Sequence, residues 1–417
     1  MRDMDEVDMG NSWKIKRVVG IEGLRGLAGM IVFFSHFGLM FYPAYYWGIE
    51  LCHFRDLDYK FGQTPLAFIV NGNSAVLMFL MIAGFGTYYV YQKGMVKIRK
   101  YLVLRYFKLV VMAMASVLLT WVLVKTGLTF YQGIMQELKS PCYDTFNPLQ
   151  LSPKIVLMYS PLSSSVMYNG VLWTMPFFFY GAILSVLLCF LSDGVKKRIW
   201  IYIVAIAIVL NLQQLYYLAC IVGVALADFY NSVLLTRKEI AADSHAADAA
   251  KAPSQRNYFS RCMGFVFVLL GIYLCAYPTG AAPTTRIYSW LPFAYCFYYH
   301  LIGATLLILA ILLDKWIERV MSMRMFQFLG KYSMAIYLVH SSVLISFSPW
   351  MYTILRTRLS YNRNVFYVFI ASNIVVLAGA VVLQRIIDMI YLLVDKVYEW
   401  VLPADLNKIK ARDRIDE

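Results

Sequence analysis

The sequence predicts an all-α fold: a polytopic membrane helix bundle of about ten transmembrane helices, with both termini in the cytoplasm. Three observations carry this. Hydrophobic residues make up 60% of 417 positions, charged residues only 15%, and mean hydropathy is +0.61. No soluble domain needs that composition. Apolar runs near the ~17–25 residues that cross a bilayer recur along the chain. Lys and Arg are also unevenly shared between alternate connecting segments.

The spans are read at about 24–46, 66–91, 102–124, 171–192, 199–212, 214–233, 261–278, 294–313, 328–348 and 365–384. The fifth and sixth share a short joint at 211–214 and read either as two spans or as a kinked or re-entrant pair. Between the third and fourth, the longest outer loop, about 125–170, carries Pro141, Pro148, Pro153 and Pro161 and is expected to cap the outer face. Residues 236–257 are Ala-rich and polar and read as a flexible cytosolic loop. After the tenth span, RIIDMIYLLVDKVYEWV mixes apolar and charged residues at helical spacing. It reads as an amphipathic helix lying on the inner surface. Residues 1–20 and 401–417 read as polar cytosolic tails. The first is polar and acidic rather than a cleavable signal, so the first span is expected to direct its own insertion.

Charge placement orients the bundle. With a cytoplasmic N-terminus, 24 basic residues fall in inside segments and nine in outside loops. That bias obeys the positive-inside rule and accounts for the net charge of +14. No basic face interleaved with aromatics appears, so nucleic acid is not an expected partner. The expected partners are membrane lipids, in an endomembrane or the plasma membrane. Seven cysteines follow no metal-ligand spacing, and no metal is expected. Cys52 and Cys142 both lie in outside loops and can pair if the outside is an oxidising lumen. Walker, dinucleotide, zincin and nucleophile-elbow motifs are absent.

Polar residues inside the spans carry the functional reading. Arg25 and His36 lie eleven positions apart in the first span. Eleven steps are about three turns plus 20° and ~16 Å of rise, so both project from one helix face at two depths. Ionisable groups at membrane depth are costly and are functional candidates. His340 lies in the ninth span at the same expected depth as His36, and His300 near the outer end of the eighth. Each imidazole alone also reads as interhelical glue. Three together favour general-base chemistry. Arg25, Arg105, Lys108, Lys331 and Arg385 all fall within about two turns of cytoplasmic ends. They read either as snorkelling cations or as a ring around a mouth for a phosphate-bearing ligand. Glu22 can pair with Arg25. Gly23, Gly26 and Gly29 make a strip that permits close helix approach or leaves room for a ligand.

These residues carry a resemblance. IEGLRGLAGMIVFFSHF resembles the first helix of the acyltransferase-three family of integral membrane acyltransferases, particularly its fungal branch, where an Arg, ten residues and a His recur as Arg25 and His36 do. NGNSAVLMFLMIAGFGTYY, RKYLVLRYFKLV, FYYHLIGATLLI and FLGKYSMAIYLVHSSVL resemble its second, third, eighth and ninth segments. The likeness covers most of residues 20–345. One departure stands out. Where the family's fourth helix usually reads Trp-Ser/Thr-Leu-x-Val-Glu, this chain has Trp173, Thr174, Met175, Pro176, Phe177 and Phe178, so Phe178 takes the acidic position.

The resemblance implies a transmembrane acyltransferase domain over 21–400. It implies transfer of an acyl group, often acetyl, from cytosolic acyl-CoA to a hydroxyl of a carbohydrate, lipid or small molecule. On that reading Arg25 holds the CoA phosphates with Arg105 and Lys108 beside it. His36 is the general base, and His340 positions His36, the acceptor or the oxyanion. His300 and Trp173 bind substrate. The competing readings are a transporter or flippase using the same polar groups, and an inactive relative that binds acyl-CoA without turnover.

Overall fold

A computed structural model describes residues 18–140, 169–243 and 253–401. Ten principal helices follow one another, and no strand occurs among the described residues. They are α1 (Val19–Phe41), α2 (Gly72–Tyr91), α3 (Met95–Lys125), α4 (Met175–Ser192), α5 (Ile199–Asn211), α6 (Tyr217–Asp243), α7 (Pro253–Cys275), α8 (Cys296–Leu313), α9 (Arg324–Ile345) and α10 (Tyr361–Val401). Seven of the ten expected spans hold a helix long and apolar enough to cross a membrane. The other three hold shorter apolar helices, Ile199–Asn211, Tyr217–Val233 and Arg261–Cys275. Thirteen residues rise only ~20 Å, less than the ~30 Å of hydrocarbon. The 212–216 joint between α5 and α6 holds Gln213 at φ 54°.

α1 is the centre of the bundle. Its largest contact is with α9, and α2 packs on another face. Glycines make the α1–α9 crossing possible. A Cβ on Gly23 would overlap the Met321 carbonyl, one on Gly26 the Gly330 backbone nitrogen, and one on Gly330 the Glu22 carbonyl. The strip is therefore a packing surface. It brings Arg25 of α1 against the first turns of α9.

Two boundaries differ from the sequence expectation. α6 continues to Asp243 and α7 begins at Pro253, so helix covers much of the expected 236–257 loop. The segment after the tenth span does not turn along the membrane. It continues that span as one helix of 41 residues. Nothing in VVLQRIIDMIYLL breaks a helix, and Lys100 of α3 binds Asp395 and Glu399 at 2.7 and 2.9 Å. That contact holds the extension upright against α3.

The outer end is closed by short elements. Phe130 N–H donates to the Ile345 carbonyl, and Ser140 Oγ to the Leu39 carbonyl. Glu137 accepts from the Tyr352 hydroxyl and pairs with Arg356. His53 stacks on the Tyr361 ring at 4.6 Å and bonds the Leu138 carbonyl at 2.8 Å. Burial lowers the pKa of His53 from its usual value. Cys52 is a free, half-buried thiol, pushed up to about 11 by burial and by Asp58. Its expected partner Cys142 lies outside the described residues.

Candidate functional site

Where α1, α2, α3 and α9 converge at the inner end, with Phe178 of α4 and Gln384 of α10, they line a cavity of about 340 Å³. Its polar wall is Glu22, Arg25, Tyr101, Arg105, Lys108, Lys331, Ser333 and Gln384. Four cations face one carboxylate, a formal charge of +3. Of the five cations singled out in the sequence, four line this space. Arg385 does not, and its exposed position suits a headgroup contact.

Each cation is aimed by a neighbour. Arg25 pairs with Glu22 at 2.6 Å and donates to the Gly330 carbonyl at 2.9 Å and to Ser333 Oγ at 3.1 Å. Arg105 Nε donates to the Phe178 carbonyl at 3.2 Å, and its guanidinium lies 5.6 Å from the Tyr101 ring. Lys108 Nζ lies 5.6 Å from the Tyr391 ring. Phe178 thus meets Arg105 through its backbone oxygen. Its side chain forms part of the cavity's apolar wall with Phe79, Ile82, Leu109, Met112 and Met334.

The histidine pair lies further in. The His36 and His340 rings are 5.0 Å apart. His36 Nδ1 bonds the Val32 carbonyl at 2.9 Å, and His340 Nδ1 the Ile336 carbonyl at 3.1 Å. A carbonyl only accepts, so Nδ1 carries the hydrogen in each neutral ring and Nε2 keeps its lone pair. His340 Nε2 is buried and has no hydrogen-bond partner among the described residues. His36 is half-buried.

Cavity and imidazoles do not meet openly. The cavity reaches Ser333 and Met334 on α9, and His340 is seven residues beyond Ser333, ~10 Å of rise. Aromatic rings fill the interval. Phe79 lies 6.3 Å from Phe178 and 5.8 Å from Tyr337, and Tyr337 lies 6.1 Å from His340. Tyr337 is fixed by its hydroxyl, which donates to the Val171 carbonyl at 3.0 Å and accepts from Thr174 Oγ1 at 2.8 Å.

His300 and Trp173 line neither space. His300 is fully buried, and both its nitrogens are engaged. Nδ1 accepts from Asn73 Nδ2 at 2.9 Å, and Nε2 donates to the Tyr277 carbonyl at 2.8 Å. Asn73 Oδ1 accepts from the Tyr216 hydroxyl at 2.8 Å, and Trp173 packs on the Tyr216 ring at 4.9 Å. The two residues thus belong to one latch joining α2, the joint between α5 and α6, α8 and the turn before α4. With no free lone pair, His300 is not a base in this arrangement.

Sequence reasoning passed over Phe79, Tyr337, Ser333 and Gln384. Aromatic and small polar residues in apolar helices carry no signal of their own until the fold sets them between two ionisable clusters. Among the described residues, no group of three or more His, Cys, Asp or Glu side chains is arranged to hold a metal ion.

A many-helix apolar bundle with ionisable groups gathered at its centre and inner end is a membrane protein of the polytopic helical class. A family model described as an acyltransferase domain, of the acyltransferase-three type, matches residues 18–385, nearly the whole chain, and the protein belongs to that family. No curated protein and no solved structure matches the chain.

Proposed function

We propose that the protein moves an acyl group from a cytosolic acyl-CoA to the hydroxyl of a carbohydrate, lipid or small-molecule acceptor, using His36 as base. The observation that carries this reading is the pair of imidazoles with their Nε2 lone pairs available, next along the helices from a cavity of charge +3. The cavity suits the phosphates of the donor, with Arg25, Arg105 and Lys108 supplying positive charge. The thioester arm then passes the Phe79–Tyr337 layer, which requires the Phe79 ring to turn aside.

The chemistry follows from the tautomers. The acceptor hydroxyl gives its proton to His36 Nε2 as its oxygen attacks the thioester carbonyl. The C–S bond breaks, and the departing thiolate takes the proton back, giving ester and free CoA. His340 Nε2 accepts a hydrogen bond from the newly protonated His36, holding the imidazolium in place. The dry, aromatic surroundings limit loss of the acyl group to water.

A second reading has two observations in its favour. Phe178 replaces the family's carboxylate, and the aromatic layer stands between cavity and imidazoles. An inactive relative would bind acyl-CoA at the cavity and stop there. Acetyl-CoA consumption by the purified protein in lipid nanodiscs separates the two, with a lipid and glycan extract as acceptor pool. CoA release that is lost in His36→Ala, with donor binding retained, supports transfer. Saturable CoA binding with equal background release in both proteins supports the inactive relative.

A further inference from the structure

α10 is the longest helix among the described residues, and its inner part carries many exposed apolar side chains. Gln384 lines the cavity, and Trp400 lies sixteen residues on, ~24 Å further. α1 begins only six residues before Arg25 and α9 only seven before Lys331, ~10 Å each. α10 therefore projects well past both. α3 runs beside it, through Lys100 with Asp395 and Glu399 and through Lys108 beside Tyr391.

The projecting part presents an apolar stripe. Val382, Ile386, Met389, Leu393 and Trp400 are 59, 42, 61, 60 and 81% exposed. At 100° per residue these five fall within an arc of about 60°, and Leu392 and Val397, 59 and 58% exposed, flank it on either side. Asp395, bound to Lys100, is two positions from Leu393 and so lies ~200° around the helix. The ion pairs on the far side thus fix the stripe facing away from the bundle.

We propose that this stripe is a seam between two copies of this chain, paired in parallel about a two-fold axis along the membrane normal. Four observations select a second copy over a lipid surface. The helix is unbroken, so the stripe cannot lie flat on the membrane while the upper part spans it. Residues 382–400 carry Asp388, Asp395 and Glu399 against two bases, Arg385 and Lys396, whereas helices that bind an anionic inner leaflet carry a predominantly basic polar face. The apolar positions alternate in steps of four and three, with Ile386, Leu393 and Trp400 seven apart, the spacing of a two-stranded helical seam. Copies held in one membrane present the stripe at the same depth and direction, so it meets itself in register. Lys396 takes the slot seven residues after Met389, a single cation that fixes register at some cost in stability.

The test uses the full chain. Leu393→Cys and, as a control on the opposite face, Asp388→Cys are each made with Cys262→Ser, which removes an exposed thiol. Oxidation in membranes is expected to cross-link the first into a species of doubled mass and not the second. Mass measurement in nanodiscs is expected to show two copies for wild type and one for Met389→Glu/Leu393→Glu. Single copies of wild type, or equal cross-linking at both positions, overturn the proposal. So does a spin label at position 393 that collides with oxygen as a lipid-facing site does, because lipid then covers the stripe. The cross-link needs no destabilised variant, so poor folding of the double glutamate protein leaves the proposal testable.

Discussion

His36 of α1 and His340 of α9 hold their rings 5.0 Å apart, and each gives its Nδ1 hydrogen to the carbonyl one turn back on its own helix. Both tautomers are thereby set by helix geometry, without any carboxylate. The two side chains act on one proton in the proposed reaction, so their removal should not be additive. His36→Ala is expected to lower turnover by roughly 10²–10⁴. His340→Ala should cost less, and the double variant little more than His36→Ala alone. A double-mutant cycle on CoA release reads this. Additive losses would separate the two residues functionally.

Arg25 serves the fold and the cavity together. Arg25→Ala removes charge from the cavity and a charge-assisted bond worth about 1.5–3 kcal/mol, roughly a tenfold to hundredfold weakening of CoA binding. It also frees the Gly330 carbonyl and Ser333. Arg25→Lys keeps the charge and loses the fork, so binding should fall by less. Calorimetric titration with CoA distinguishes the three proteins.

Gly26 is a sharper probe of the α1–α9 crossing. A Cβ there overlaps the Gly330 backbone, which no side-chain rotation relieves. Gly26→Ala is expected to cost about 1–3 kcal/mol, seen as a lowered Tm in nanodiscs. An unchanged Tm would mean the helices slide apart freely.

Phe178→Glu places a carboxylate on the wall beside Arg105 and lowers the cavity's charge by one. CoA binding should weaken and depend less steeply on salt. A titration at two ionic strengths measures both, and a variant that binds CoA more tightly than wild type at low salt would contradict the assignment of the cavity to phosphates.

The outer cap should be sensitive to acid. Burial lowers the pKa of His53, with Asp58 and Glu137 opposing and Lys139 reinforcing the shift. The folded cap therefore takes up a proton less readily than the unfolded chain. Its stability is complete above the ordinary imidazole pKa of about 6.5 and falls as pH drops below it. Amide protection factors in 53–62 and 131–140, which take out the slower intrinsic exchange at low pH, should fall from pH 7.5 to pH 5.5, and the change should shrink in His53→Gln. Equal protection at both pH values would rule out this linkage.

The bundle was legible in the sequence because bilayer thickness and the cost of unpaired backbone allow an apolar run few conformations other than a helix. Helical periodicity put Arg25 and His36 on one face of α1, and the glycine strip marked the face that α9 meets. The long unbroken α10 was not legible, since an amphipathic pattern reads the same flat or upright until Lys100 of α3 is seen to hold it. Nor was the fate of His300, whose lone pair is taken by Asn73, a residue distant in sequence. Helix existence depends on interactions within a few residues, so the sequence determined it. The four-cation cavity, the His36–His340 contact and the Phe79–Tyr337 layer between them arise from side chains on different helices. Their spacing is set by which helices touch and at what height, and only the tertiary structure decided that.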